Sequence, residues 1–282
     1  MNKRFAVLGS PIAHSKSPAI HLAAYRVLGF DWDYGRAEVQ KGLMRTFIAG
    51  LEGVWNGFSV TMPLKEEASR FAEELDEYAK LTGATNTLYL DEFGKWHGFN
   101  TDVFGIVQAV TEARIGLVKR ALIIGSGATA TSAMVAISVL NPNTHVEVLA
   151  RNKVSRKALI ALGKKLGLKT TRAGGLAAAS RVSNLTISTL PSGALDKQAA
   201  RLSRAWTWKP KGALLDVSYN PWPSKLADAW SAKGKRTISG LEMLIWQAVA
   251  QIRIFSTGSA EKELPNEIAV VSAMHIAVES EQ

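Results

Sequence analysis

The chain is 282 residues long, carries a formal net charge of +10 and is 47% hydrophobic, with no cysteine. The missing cysteines exclude disulfides, thiolate metal sites and cysteine nucleophiles, and no apolar run is long enough to span a bilayer. Lysine and arginine are scattered rather than gathered beside stacking aromatics, so the charge reads as a field attracting anionic small molecules, not as a nucleic-acid surface.

Phe5–Gly9 predicts a first strand, Pro18–Leu28 a helix and Tyr34–Val39 a second strand. The short apolar stretch after Lys3 and Arg4 is too brief for a signal-peptide core, which favours the cytoplasm. A helical stretch near Gly42–Leu51 leads to a strand at Phe58–Thr61, and Lys65–Lys80 is helical in composition, in one piece or two. Asn86–Leu90 and Trp96–Phe99 flank Asp91-Glu92-Phe93-Gly94, whose residues suit a hairpin turn. The first third is therefore a small α/β unit with a mixed sheet. Asp102 opens a helical run to Arg114. Beyond it, Ala121–Ile124, Val146–Leu149, Asn184–Leu190, Ala213–Ser218 and Arg236–Ser239 predict strands. Thr129–Leu140, a lysine-rich stretch to Leu166 and Lys225–Ala232 predict the helices between them. This alternation argues for a doubly wound parallel sheet covered on both faces. Leu241–Phe255 and Leu264–Val278 are helical with no strand between them, so they need an existing surface and are expected to return to the first domain. The expected division is residues 1–101 plus 241–282 for one domain and 102–240 for the other, with Gly240 as a hinge.

Gly125-Ser126-Gly127-Ala128-Thr129-Ala130 follows a strand and opens a helix. The first glycine permits the tight turn, the second lets the backbone approach a pyrophosphate, and Ala130 keeps helix and strand close. Phosphates there would meet free N–H groups and the positive end of the helix dipole. After the next strand an NAD site usually presents a carboxylate to the ribose. This chain has Arg151-Asn152-Lys153 instead, and a guanidinium can bind a 2′-phosphate through two hydrogen bonds, which points to NADP.

Two polar segments precede this signature, Ser59–Lys65 and Gly98–Asp102. An ammonium at Lys65 beside a carboxylate at Asp102 could handle a proton while a nicotinamide handles a hydride. Lys65 also suits a solvated first helical turn beside Glu66 and Glu67. Asp102 also suits a helix cap, in competition with Asn100 and Thr101. Ser15 and Ser17, at i and i+2, would point the same way in extended backbone, although Ser17 beside Pro18 equally suits a helix start. No pair of histidines or cluster of carboxylates has metal-ligand spacing, so no metal is expected.

Taken together, Gly9–His21, Ser59–Lys65, Gly83-Ala84-Thr85-Asn86-Thr87, Gly98–Asp102, the glycine-rich turn, Asp216–Pro221 and Gly240–Ala248 resemble the shikimate dehydrogenases, in family order over nearly the whole chain. The resemblance implies a substrate domain joined to a Rossmann-type NADP domain. It implies NADPH-dependent, reversible reduction of 3-dehydroshikimate to shikimate on the route to chorismate and the aromatic amino acids. It implies Lys65 and Asp102 as the catalytic pair. Ser15 and Ser17 would take the substrate carboxylate, and Ser59, Thr61, Asn86, Thr101, Tyr219 and Gln247 would line the substrate site. Gly125, Ser126, Gly127, Ala128, Thr129, Arg151, Asn152, Lys153, Thr189, Val217 and Gly240 would meet the cofactor. The family usually has Asn-Val-Thr where this chain has Ser59-Val60-Thr61, and Asn-Arg-Thr where it has Ala150-Arg151-Asn152. A quinate or dual quinate/shikimate dehydrogenase and a non-catalytic NADP-binding sensor are the competing readings. A monomer and a homodimer are both compatible with the sequence.

Overall fold

The computed structural model describes residues 3–53 and 55–280. By backbone proximity the chain divides into two compact units, Met1–Gly105 with Leu244–Gln282, and Ile106–Met243. In chain order the first unit begins with β1 (Lys3–Gly9), α1 (Ser17–Leu28), β2 (Trp32–Glu38), α2 (Met44–Ala49), β3 (Gly57–Val60) and α3 (Lys65–Phe71). It continues through β4 (Glu74–Leu75), α4 (Glu77–Thr82), β5 (Thr87–Leu90) and β6 (Trp96–Phe99) into α5 (Asp102–Glu112). The second unit holds β7 (Arg120–Ile124), α6 (Ala128–Leu140), β8 (His145–Leu149), α7 (Lys153–Lys165), β9 (Lys169–Arg172) and α8 (Leu176–Ser180). Then come β10 (Leu185–Ser188), α9 (Asp196–Arg204), β11 (Ala213–Asp216), α10 (Lys225–Ser231) and β12 (Thr237–Ser239). Finally α11 (Gly240–Thr257) and α12 (Glu267–Glu279) carry the chain back to the first unit.

The first unit has a six-stranded sheet in the order β2-β1-β3-β5-β6-β4. β2, β1 and β3 are parallel, β5 runs against both β3 and β6, and β4 lies parallel to β6. This mixed pairing fixes where the loops emerge. The segments after β1, β3 and β6 and the segment before β5 all leave the sheet at one edge. That edge gathers residues 10–17, 61–65, 86 and 100–102. Backbone bonds sew it together: Ser10 N–H to the Met62 carbonyl (3.0 Å), Val60 N–H to the Asn86 carbonyl (2.7 Å) and Asn86 N–H to the Phe99 carbonyl (3.0 Å).

The second unit has a wholly parallel sheet in the order β12-β11-β10-β7-β8-β9. The chain starts in the middle, winds to one side and then to the other, which is the dinucleotide-binding order with its crevice beside the first strand. β10 and β11 are buried along their whole length, as strands covered on both faces should be. No helix among the described residues is long and apolar enough to cross a membrane.

Part of the core of the first unit is an aromatic cluster. Phe5 stacks on Phe255 of α11 at 4.3 Å, and the α1 face bearing Ile20, His21, Ala24 and Tyr25 is buried. His21 is the unusual member. It is completely buried, lies flat on Tyr34 (3.9 Å between centroids, 16° between planes) and its Nδ1 donates to the Ser17 carbonyl at 2.8 Å. Burial pushes its pKa down from 6.5 to about 4. In the unfolded chain the ring takes up a proton near pH 6.5, whereas in the folded chain it does so only near pH 4. The neutral ring's contribution is therefore whole above pH 6.5 and is lost as the pH falls toward 4. The loss amounts to about 3 kcal/mol. His21→Phe, which keeps a stacked ring without a titrating group, is expected to flatten the acid limb of urea-unfolding midpoints. Parallel acid limbs in the two proteins would exclude His21 as the cause.

Candidate active site

Lys65 is the first residue of α3 and Asp102 the first of α5, so both side chains stand at the loop-bearing edge of the first sheet. Lys65 Nζ donates to Asp102 Oδ2 at 2.5 Å, with the two side chains only 13% and 5% exposed. The carboxylate does not cap its own helix. Asn100 Oδ1 accepts the Asp102 N–H (3.1 Å), which frees Asp102 Oδ1 for the Asn86 amide. Glu67, one of the two glutamates beside Lys65 in sequence, is engaged by the N–H groups of Gly42 and Met44.

Asn86 is the hub. Its Oδ1 accepts the Thr101 backbone N–H at 2.8 Å, which fixes the amide orientation. Its Nδ2 then faces Asp102 Oδ1 (2.8 Å), Thr101 Oγ1 (2.9 Å) and Gln247 Oε1 (3.3 Å). Gln247 arrives from α11 and donates to the Leu244 carbonyl at 2.8 Å. Lys65, Asn86, Thr101, Asp102 and Gln247 are thus one hydrogen-bonded cluster of an ammonium, a carboxylate, a hydroxyl and two amides. Such a cluster can hold ring hydroxyls and pass a proton to an oxygen that gains negative charge. Thr61 enters the same edge from β3, its N–H on the Leu8 carbonyl at 2.9 Å.

The serine pair differs from the extended reading. The chain turns at Ala13-His14, Ser15 N–H bonds the Ile12 carbonyl (3.0 Å), and Ser17 is already helical. Ser15 Oγ accepts the Ser17 N–H at 3.3 Å, and no side chain caps α1 from Lys16. Ser17 is therefore not the helix cap, and its buried side chain belongs to the first turn of α1. Ser59 also lies deeper than the sequence suggests: its hydroxyl accepts from Tyr34 (2.6 Å) and donates to Gln251 Oε1 (2.9 Å). The Thr101 hydroxyl likewise turns inward, donating to Asn86 Oδ1 at 3.2 Å.

In the second unit the glycine-rich turn has the required geometry. Gly125 sits at φ +121°, and a Cβ there would lie 2.2 Å from Thr189 Oγ1, itself tied to the Ile124 carbonyl at 2.9 Å. Around Gly127, the residue before α6, an added Cβ would meet nothing within 4 Å. Space beside Gly127 is therefore open at the start of α6, and no acidic residue occupies its first turn. These residues fit a dinucleotide pyrophosphate. Arg151 is exposed just beyond β8, and Lys153 is the first residue of α7. The Asn152 side chain caps α7 through the N–H groups of Val154 (2.9 Å) and Ser155 (3.2 Å). Sequence reasoning missed Arg156, which braces the Ala150 carbonyl at 2.6 Å, and Ser155, which pairs with Ser126 at 2.9 Å. Their signal was their place in the first turn of the helix that follows β8.

Gly240 opens α11, and a Cβ there would fall 2.0 Å from the Val217 carbonyl oxygen. Close backbone approach requires glycine at this position. Tyr219 follows β11, and burial raises its hydroxyl pKa above the usual range. Among the described residues no group of three or more His, Asp or Glu side chains could hold a metal.

A family model described as the shikimate dehydrogenase substrate binding domain matches residues 7–88. A shikimate dehydrogenase (NADP(+)) of Dehalococcoides mccartyi is 31% identical over 264 residues, spanning 91% of this chain and 91% of the relative. The crystal structure of Mycobacterium tuberculosis shikimate dehydrogenase superposes with a TM-score of 0.85 at 40% identity, covering 99% of both chains. The Thermus thermophilus enzyme in complex with NADP(H) and shikimate gives a TM-score of 0.80 at 28% identity, covering 98% of this chain and 99% of that one.

Proposed function

The chain belongs to the shikimate dehydrogenase family, and from that premise we propose that it catalyses the reversible, NADPH-dependent reduction of 3-dehydroshikimate to shikimate. The observation that carries this reading is the buried 2.5 Å contact between Lys65 and Asp102, framed by Asn86 and Gln247. NADPH, when bound, supplies the hydride that adds to the ketone carbon. The carbonyl oxygen gains charge as this happens, and the Lys65 ammonium stabilises that charge and gives up a proton to it. In the reverse direction the Lys65 amine takes the hydroxyl proton. Asp102 holds Lys65 in place and shares the ring hydroxyls with Thr61, Asn86 and Gln247. Ser15 and Ser17 take the substrate carboxylate. The first unit carries the substrate and the second the dinucleotide. The product would feed chorismate and aromatic amino-acid synthesis in the cytoplasm.

Arg151 is the residue assigned to the 2′-phosphate, with Lys153 beside it. A charge-assisted hydrogen bond of this kind is worth roughly 10- to 100-fold in affinity. Arg151→Ala is expected to raise KM for NADPH by about that factor and to leave KM for NADH nearly unchanged. Equal effects on the two cofactors would refute the assignment.

The reaction is tested by oxidising shikimate with NADP⁺ and following absorbance of the reduced nicotinamide, with quinate and NAD⁺ in the other arms. Turnover highest with shikimate and NADP⁺ is the expected result. Turnover confined to quinate, or NADPH binding without turnover on any arm, would replace this reading with a quinate dehydrogenase or a sensor.

A further inference from the structure

We propose that Gln251, with Ser59 and Tyr34, is a positioning device for the reaction proposed above: a one-way hydrogen-bond chain that sets the Asn86 amide against Asp102. The chain's direction follows from two groups that admit no choice. Thr101 N–H can only donate, and the Asp102 carboxylate, bound by the Lys65 ammonium, only accepts. Asn86 must therefore present Oδ1 to Thr101 and Nδ2 to Asp102. Thr87 Oγ1, 2.9 Å from Asn86 Oδ1, must then donate to it. With its proton committed, Thr87 must accept from Gln251 Nε2 at 3.0 Å, and the same amide nitrogen also donates to the Asn86 carbonyl at 3.1 Å. Gln251 Oε1 is left facing Ser59, which donates at 2.9 Å and so must accept from Tyr34 at 2.6 Å. Each link determines the next, from Asp102 back to a phenol.

The Tyr34 end is built to keep its proton. The phenol is buried, its pKa is raised far above the ordinary range by that burial, and the neutral His21 ring lies flat against it. Gln251 itself is 1% exposed, its amide is engaged at both ends by Thr87, the Asn86 carbonyl and Ser59, and it stands one helical turn after Gln247 on α11. The Ser59 hydroxyl is thus committed on both sides to this chain. A longer amide at position 59 would displace the Tyr34 hydroxyl or Gln251.

The test uses the full chain with saturating NADP⁺ and varied shikimate. Gln251→Met fills similar space without donating or accepting. It is expected to raise the shikimate KM about tenfold while kcat and the KM for NADP⁺ change little, because Lys65 and Asp102 keep each other. Gln251→Glu supplies a readout that simple destabilisation would not move. As a carboxylate it cannot donate to Thr87 or to the Asn86 carbonyl, whereas as a neutral acid it can do so and still accept from Ser59. The titratable groups facing the chain are Tyr34 on β2, His21 on α1, and Asp102 and Lys65 at its far end; wild type carries all four, so the ratio of the two proteins' KM values isolates position 251. That ratio is expected to fall toward one from about pH 8 to about pH 6, as burial raises the new carboxyl's pKa. A wild-type KM in Gln251→Met, or a Gln251→Glu ratio indifferent to pH, would overturn the positioning role. Should Gln251→Met not fold, the Glu ratio decides alone. A wild-type protein inactive on shikimate would instead remove the reaction on which the role rests.

Discussion

Lys65→Ala is expected to lower turnover on shikimate by about 10²- to 10⁴-fold, the usual contribution of a positioned acid–base group. In barrier terms this is roughly 3–5 kcal/mol. The residues proposed to hold the dinucleotide all lie in the second unit, so NADPH affinity, read by fluorescence titration, should hardly change. Stability should fall as well, because the deletion leaves the Asp102 carboxylate 5% exposed without its cation. A structural ion pair alone would show the stability loss and keep turnover; the account requires both. Near-normal turnover would take Lys65 out of the chemistry.

Asp102→Asn is expected to be nearly as damaging for a geometric reason. Both carboxylate oxygens accept, Oδ2 from Lys65 and Oδ1 from Asn86. An asparagine there must turn its own NH₂ toward one of these donors. If it faces Asn86, the hub amide loses its partner and the shikimate KM should rise. If it faces Lys65, the ammonium is pushed away and kcat should fall. Either outcome lowers kcat/KM by about 10²-fold or more, again with NADPH binding retained. Steady-state kinetics with both substrates varied would separate the two. Unchanged kcat/KM would show that the carboxylate is not needed where the structure holds it.

Much of the second unit could be read from the chain because its signals are local. β7 is a short apolar run, the glycines follow at once, and α6 is apolar and uncharged, so strand, turn and helix announce themselves within one stretch. β9 and α9 gave no such signal. Lys169–Arg172 is an edge strand with only Thr170 buried, and α9 buries just Ala199 and Leu202 among polar neighbours. β4 is two residues long and is defined by its pairing with β6, not by its composition.

The site divides in the same way. Lys65 and Asp102 stood out as chemically unusual, yet their contact depends on strands β3, β5 and β6 delivering distant segments to one edge of a mixed sheet. That is a property of register, which neither polar segment shows by itself. Asn100 against Asp102 as the cap of α5 was undecidable in sequence, since both residue types cap well; the structure gives the task to Asn100. Ser59 was a substrate candidate through the family resemblance, at a position where the family usually has Asn. Its partners, Tyr34 and Gln251, come from 25 and 192 residues away, beyond the reach of any local pattern.

The most direct measurement is a crystal structure of the protein with shikimate bound. The account expects Lys65 Nζ within about 3 Å of a ring oxygen, with Asp102, Asn86 and Gln247 around the same ring and the carboxylate near Ser15 and Ser17. Shikimate bound away from this edge, with the Lys65 amine still turned only toward Asp102, would contradict it.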